Sequence, residues 1–204
     1  MAQIPISHFR RNRYELRPPL FEAHEPRGAP EGYTQRIMSE IDRLFLECSI
    51  RRLAELAPRI ETCLGKLTPE QVWVRGGENE NAIGNLVLHL CGNMRQWIIA
   101  GVGGRPDTRD RDGEFAARGG GTTPELIARL NETVDEATAV IAGLAPERLA
   151  EQVVIQGYRV SVLEAIYHVV EHFSMHTGQI LFATKMLTGS DLGFYRHLAG
   201  GRRQ

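Results

Sequence analysis

Apolar residues return at helical spacing in four long stretches of the chain. From about Tyr33 to Leu64, the positions Ile37, Ile41, Leu44, Cys48, Leu53, Leu56, Ile60 and Cys63 recur every three to five residues, and Leu67 continues the series. Thr68-Pro69-Glu70-Gln71 then reads as an N-cap, a proline in the first turn and an acidic start, opening a short helix that stops at Gly76-Gly77. A second long helix is predicted from about Asn81 to Ala100 on the stripe Ile83, Val87, Leu90, Met94 and Trp97. A third runs from Thr123-Pro124-Glu125 to about Ala142 on Leu126, Leu130, Val134, Ala137 and Ile141. Ser161-Val162-Leu163-Glu164 is a capping box that opens the last helix, which reaches about Leu187 before Gly189. Its buried face centres on Ile166, Val169, Phe173, Ile180 and Leu187.

The remaining segments have other patterns. Gly101 to Gly121 predicts a long loop between helices, whose Arg/Asp alternation reads as a solvated, self-paired surface. Gln152 to Val160 carries β-branched residues on either side of Gln156-Gly157, the pattern of a small hairpin. Residues 1–32, rich in Pro, Arg and Glu, are expected to be a partly flexible arm, and 196–204 a C-terminal tail. The expected fold is therefore all-α: a four-helix bundle over 33–195 with one long interhelical loop and one small hairpin.

Composition narrows the classes. A chain of 204 residues suits one domain, and its net charge of -1 provides no basic field for nucleic acid or an anionic membrane. No apolar run approaches a membrane span, and the N-terminus lacks the apolar core of a secretory signal, so the cytoplasm is the expected location. Cys48, Cys63 and Cys91 form no disulfide framework and no CxxC pair; each falls in an apolar helical pattern and is expected to be a buried structural thiol.

Histidine changes the picture. His168, His172 and His176 stand four apart on the last predicted helix. Residues four apart share a face with a drift of roughly 40°, so neighbouring imidazoles can reach one ion, whereas the outer two are about two turns apart. The drift places His176 at the edge of the buried face, His172 one step round and His168 further still. A site inside the bundle should use His172 and His176, with His168 at the rim as a supporting or solvent-facing group. On the second helix Asn85, His89, Asn93 and Gln96 form a polar strip beside the apolar stripe, a costly arrangement unless it is satisfied. His89 is the third expected ligand, and Asn85, Asn93, Gln96 and His168 are expected to support the site. The competing reading is plain: a histidine on a half-apolar face is most often simply hydrogen-bonded or exposed.

Ile83-Gly84-Asn85-Leu86-Val87-Leu88-His89-Leu90, together with Glu171-His172-Phe173-Ser174-Met175-His176-Thr177-Gly178-Gln179-Ile180, resembles the DinB/YfiT-like metal-binding superfamily. The strings GNLVLHL, GNMRQWI, RDRDGEF, HVVEHF and HTGQI resemble an uncharacterised bacterial subgroup of it. The resemblance covers about Tyr33 to Tyr195. It implies a four-helix bundle with one ligand histidine on the second helix and two, four apart, on the last. His89, His172 and His176 stand at those positions.

Characterised members of that superfamily include bacillithiol S-transferase and mycothiol-dependent maleylpyruvate isomerase. The resemblance therefore implies a metal-dependent transferase that takes a low-molecular-weight thiol and a small-molecule substrate. A metal-dependent hydrolase and a non-catalytic metal-binding or stress-related protein are the alternatives. Imidazole suits several divalent ions, with zinc or nickel expected here. Glu171 adjoins His172 and so points about 100° away, which disfavours it as a ligand. Arg95, Arg109, Arg111 and Arg159 would suit the carboxylates of a cosubstrate, or simply the surface. A homodimer is a further expectation.

Overall fold

The computed structural model describes residues 33–196, and the arm expected over 1–32 and the tail from 197 on lie outside them. The chain divides between Met38 and Ser39, and the body considered below begins at Ser39.

Six α-helices and one hairpin follow in order. They are α1 (Tyr33–Leu64), α2 (Pro69–Trp73), α3 (Ile83–Met94), α4 (Arg111–Ala116), α5 (Thr123–Ala142), β1 (Gln152–Ile155), β2 (Tyr158–Ser161) and α6 (Val162–Thr188). The all-α reading holds, with the hairpin as the only sheet among the described residues. α3 is the hub. All twelve of its residues are buried, and it packs against α2, α4, α5 and α6. It continues without a break into a π-helical stretch, Arg95–Val102, which also lies against α5, α6 and β1.

The start signals act as their chemistry requires. Thr68 and Ser161 accept hydrogen bonds from the backbone N–H groups of Gln71 and Glu164, and the Gln71 and Glu164 side chains accept in return from the cap N–H groups. α6 ends at Gly189 in the left-handed conformation, where a Cβ would be strained. β1 and β2 pair antiparallel, with Ile155 opposite Tyr158. Gln156 and Gly157 turn the chain with φ of 53° and 80°. Two positive φ values in a two-residue connection match the twist of the strands, but at Gln156 a side chain occupies a region that favours glycine.

Three sequence expectations need correction. Ile41, Leu44 and Cys48 are exposed, whereas Leu46, Ser49, Leu53, Ala57 and Ile60 are buried. At 100° per residue the first three lie roughly opposite the others, so the apolar series before Leu53 tracks the wrong face of α1. Cys48 is accordingly not a buried thiol, unlike Cys63 and Cys91. Leu187 at the end of α6 is also exposed. The Gly101–Gly121 loop is shorter than expected: the π-helical turn carries the preceding helix to Val102, and Asp110 caps α4 by accepting from the Gly113 N–H.

Candidate metal centre

α3 and α6 lie side by side, and this brings His89 of one against His172 and His176 of the other. His172 Nε2 is 3.0 Å from His89 Nε2 and 3.2 Å from His176 Nε2. All three ligand atoms fall within 4.8 Å of one another. Nitrogens on adjacent corners of a tetrahedral zinc site stand about 3.3 Å apart, from bond lengths of roughly 2.0–2.1 Å.

The outer ring nitrogens decide where the lone pairs point. Glu114 of α4 accepts a hydrogen bond from His89 Nδ1 at 2.9 Å. Arg109 Nη2, which only donates, also stands 3.1 Å from Nδ1, but it makes its shorter bond to Glu114 Oε2 at 2.8 Å. The ionised carboxylate at 2.9 Å only accepts, which favours the ring proton on Nδ1 and a free lone pair on Nε2. Burial alone would raise the Glu114 carboxyl. The hydrogen bonds and charge of Arg109, with His89, outweigh it and hold the group below the usual carboxylate range. Arg109 binds it as a fork, Nε to Oε1 and Nη2 to Oε2, both at 2.8 Å. These side chains are only 2% and 8% exposed. On α6, Gln179 Oε1 accepts from His176 Nδ1 at 2.6 Å, which frees the second Nε2. Burial, then the neighbouring His176 and His89, push the His172 imidazole down to about 3, and burial also lowers His176. Both rings are thus held neutral, the form that ligates metal.

This donor set fits a cation. A proton on His172 Nε2 could be shared with only one of its two neighbours, whereas a cation between them meets three lone pairs. Among the described residues His172 Nδ1 is buried without a protein partner, as are Asn93 Oδ1 and Trp97 Nε1. Buried polar atoms are rarely left so in a region built for packing alone.

Residues 40–198 match the model of a protein family of unknown function, DUF1572. The chain belongs to the DUF1572 family. No curated protein matches this DUF1572 member. Among solved structures it is similar to the crystal structure of a DinB-like protein, YjoA, from Bacillus subtilis. The TM-score is 0.56 and the identity 14%, over 72% of this chain and 96% of that one. The likeness shows a DinB-like fold, in agreement with the resemblance read from the histidine motifs.

The polar residues expected to support the site in this DUF1572 chain act at one remove. Asn85 donates Nδ2 to the backbone carbonyls of Glu114 and Ala117, at 2.8 and 2.9 Å, and so ties α4 to α3. Gln96 Oε1 accepts from Arg109 Nη1 at 3.0 Å and from the Gln156 side chain at the hairpin turn. Asn93 Nδ2 donates to His168 Nε2 at 3.3 Å, and the His168 ring stacks against Trp97 with centroids 4.1 Å apart. None of the three touches a ligand imidazole. His168 stands outside the three-histidine group, and Glu171 is exposed.

The partners that do touch the imidazoles are Glu114 and Arg109 at His89, with Arg109 Nη2 3.1 Å from Nδ1, and Gln179 at His176. The sequence reading left Glu114 and Gln179 without a role, and it offered Arg109 to a cosubstrate carboxylate or the surface rather than to the carboxylate of Glu114. One signal was available: Gly92, a glycine inside a helix whose every residue is buried. A Cβ there would come within 1.7 Å of Glu114 Oε1 and 3.0 Å of Arg109 Nε. The glycine opens the side of α3 to the carboxylate. A cavity of about 480 Å³ borders the same pair, lined by Arg95, Thr108, Arg109, Asp110 and Arg129 among others, and by none of the three histidines. Of the remaining arginines considered, Arg111 lies over the Phe115 ring and Arg159 is exposed on β2.

Proposed function

We propose that the protein holds one divalent ion on His89, His172 and His176 and serves as a metal-dependent transferase for a low-molecular-weight thiol. The observation that carries this reading is the convergence of three Nε2 atoms, two of them aimed inward by Nδ1–H bonds to Glu114 and Gln179. Three neutral imidazoles leave the charge of the ion unneutralised and one tetrahedral corner open, the pattern of catalytic rather than structural sites. When bound, zinc or nickel would supply a Lewis-acidic position that holds a thiol sulfur as thiolate.

The chain's own residues would do the rest. His172 and His176 are half-buried and His89 is buried, so a small molecule would reach the three imidazoles from the α6 side. A thiol route needs no separate carboxylate base. A hydrolytic route gains from a free base near the attacking water, and both oxygens of Glu114 are already engaged.

Elemental analysis of protein purified without a His-tag should find one divalent ion per chain. The loaded protein is then given an activated aryl halide with cysteine, bacillithiol or mycothiol. The expected result is thiol-dependent consumption of the halide that stops on chelation. Ester hydrolysis without thiol would replace this reading with a hydrolase, and protein that takes up no ion would overturn it.

A further inference from the structure

We propose that Glu114 is a positioning residue for the metal centre, delivered by α4 through the gap at Gly92 to fix the tautomer and orientation of His89. The inference rests on the reading of the three histidines as a metal site, and it concerns a residue outside the ligand set.

Glu114 cannot serve as a ligand where it stands. Oε2 accepts from His89 Nδ1 and Arg109 Nη2, Oε1 accepts from Arg109 Nε, and the carboxylate lies on the side of the ring away from Nε2. What it does is hold a proton on Nδ1. That leaves the Nε2 lone pair facing His172 and increases the electron density it can give to a cation. Arg109 clamps both oxygens, so the carboxylate cannot turn away, and Gln96 clamps Arg109 in turn. Gln156 at the strained hairpin turn reaches the same Gln96 oxygen. A line of side chains therefore runs from hairpin to Gln96, Arg109, Glu114 and His89, and Asn85 anchors α4 by the Glu114 carbonyl. Phe115, the next residue, covers the His89 ring with centroids 4.6 Å apart. The segment between α3 and α5 thus supplies both a polar and an apolar restraint on one ligand.

A buried ion pair of purely structural purpose would leave zinc affinity unchanged when Glu114 is replaced in a chain that still folds. The test is therefore nitrogen NMR of the imidazoles in the metal-free full chain, joined to zinc affinity by chelator competition. Wild-type His89 should carry its proton on Nδ1. In Glu114→Ala the proton should shift toward Nε2, and zinc affinity should fall by about 10–100-fold. Glu114→Gln keeps an acceptor of the same length and should hold the fold if the alanine variant does not. It should retain the Nδ1 proton yet bind zinc about 10-fold more weakly. A wild-type proton on Nε2, or zinc affinity unchanged in folded Glu114→Gln, would overturn the proposal. Wild-type protein that binds no zinc would instead remove the metal reading, while the ring proton of His89 in Glu114→Ala still reports whether Glu114 sets it.

Discussion

The two walls of the three-histidine site are built on different plans. On the α6 wall everything is local: His172 and His176 are one helical turn apart, and the residue that aims His176 is Gln179, three positions on. On the α3 wall, support comes from elsewhere. His89 is aimed by Glu114, 25 residues later, and Glu114 is held by Arg109 just ahead of α4 and by Asn85 of α3, with Gly92 of α3 leaving room for it. The local wall is half-exposed, whereas the assembled wall is buried. A local contact forms as soon as its helix does. An assembled one needs the whole body folded, and in return it excludes water and strengthens each hydrogen bond it contains.

The comparison can be broken most severely at the atom where the walls meet. His172 Nε2 is the shared neighbour of the other two, so His172→Ala should abolish stoichiometric metal in elemental analysis. Full occupancy in that variant would mean that the ion sits elsewhere.

Gly92→Ala attacks the assembled wall without touching a polar group. Helix propensity alone favours alanine by about 1 kcal/mol. The Glu114 oxygen would lie 1.7 Å from the new Cβ and is not free to swing, because Arg109 and His89 hold it. Denaturant unfolding should show a net loss of about 1–3 kcal/mol, and chelator titration a loss of about 10–100-fold in affinity. A more stable variant with intact affinity would show that Glu114 has room to spare.

Acid should weaken the α6 wall of the metal-free protein. Burial lowers His172 to about 3 and His176 below the usual imidazole range. As pH falls below about 6.5 the unfolded chain takes up protons that the folded chain refuses. Stability present above that value should therefore decline toward pH 3, and thermal melting at stepped pH would record it. A melting temperature that stays flat across this window would contradict the burial of these rings.

Gln179→Ala tests the local wall. Gln179 is exposed, and water can take over the His176 Nδ1–H, so the loss should be about 1 kcal/mol, or roughly fivefold in affinity. A loss as large as that of Glu114→Ala would erase the contrast between the walls. The smallest effect is expected at His168→Ala, where the ring stacks on Trp97 and pairs with Asn93 but contributes no ligand atom. The metal should stay, and an emptied site would shift the ligand pair to His168 and His172.

What could be read in advance follows the same division. The helices, their caps, the hairpin turn and the spacing of His172 and His176 are properties of residues within four or five positions of each other. The sequence by itself determined them because helical periodicity and capping are short-range. It also offered His89, since a polar strip on an apolar helix requires a partner. Spacing did not say that this partner region is α6; the family resemblance implied it, and the tertiary structure brings His89 and His172 together across 83 residues. It decided that Arg109 and Glu114 are a buried pair rather than part of a charged loop, and that Cys48 faces outward while Cys63 and Cys91 face in. The physical reason is common to all three. Spacing along a helix says which residues share a face, but which face is covered, and by what, depends on how distant segments pack.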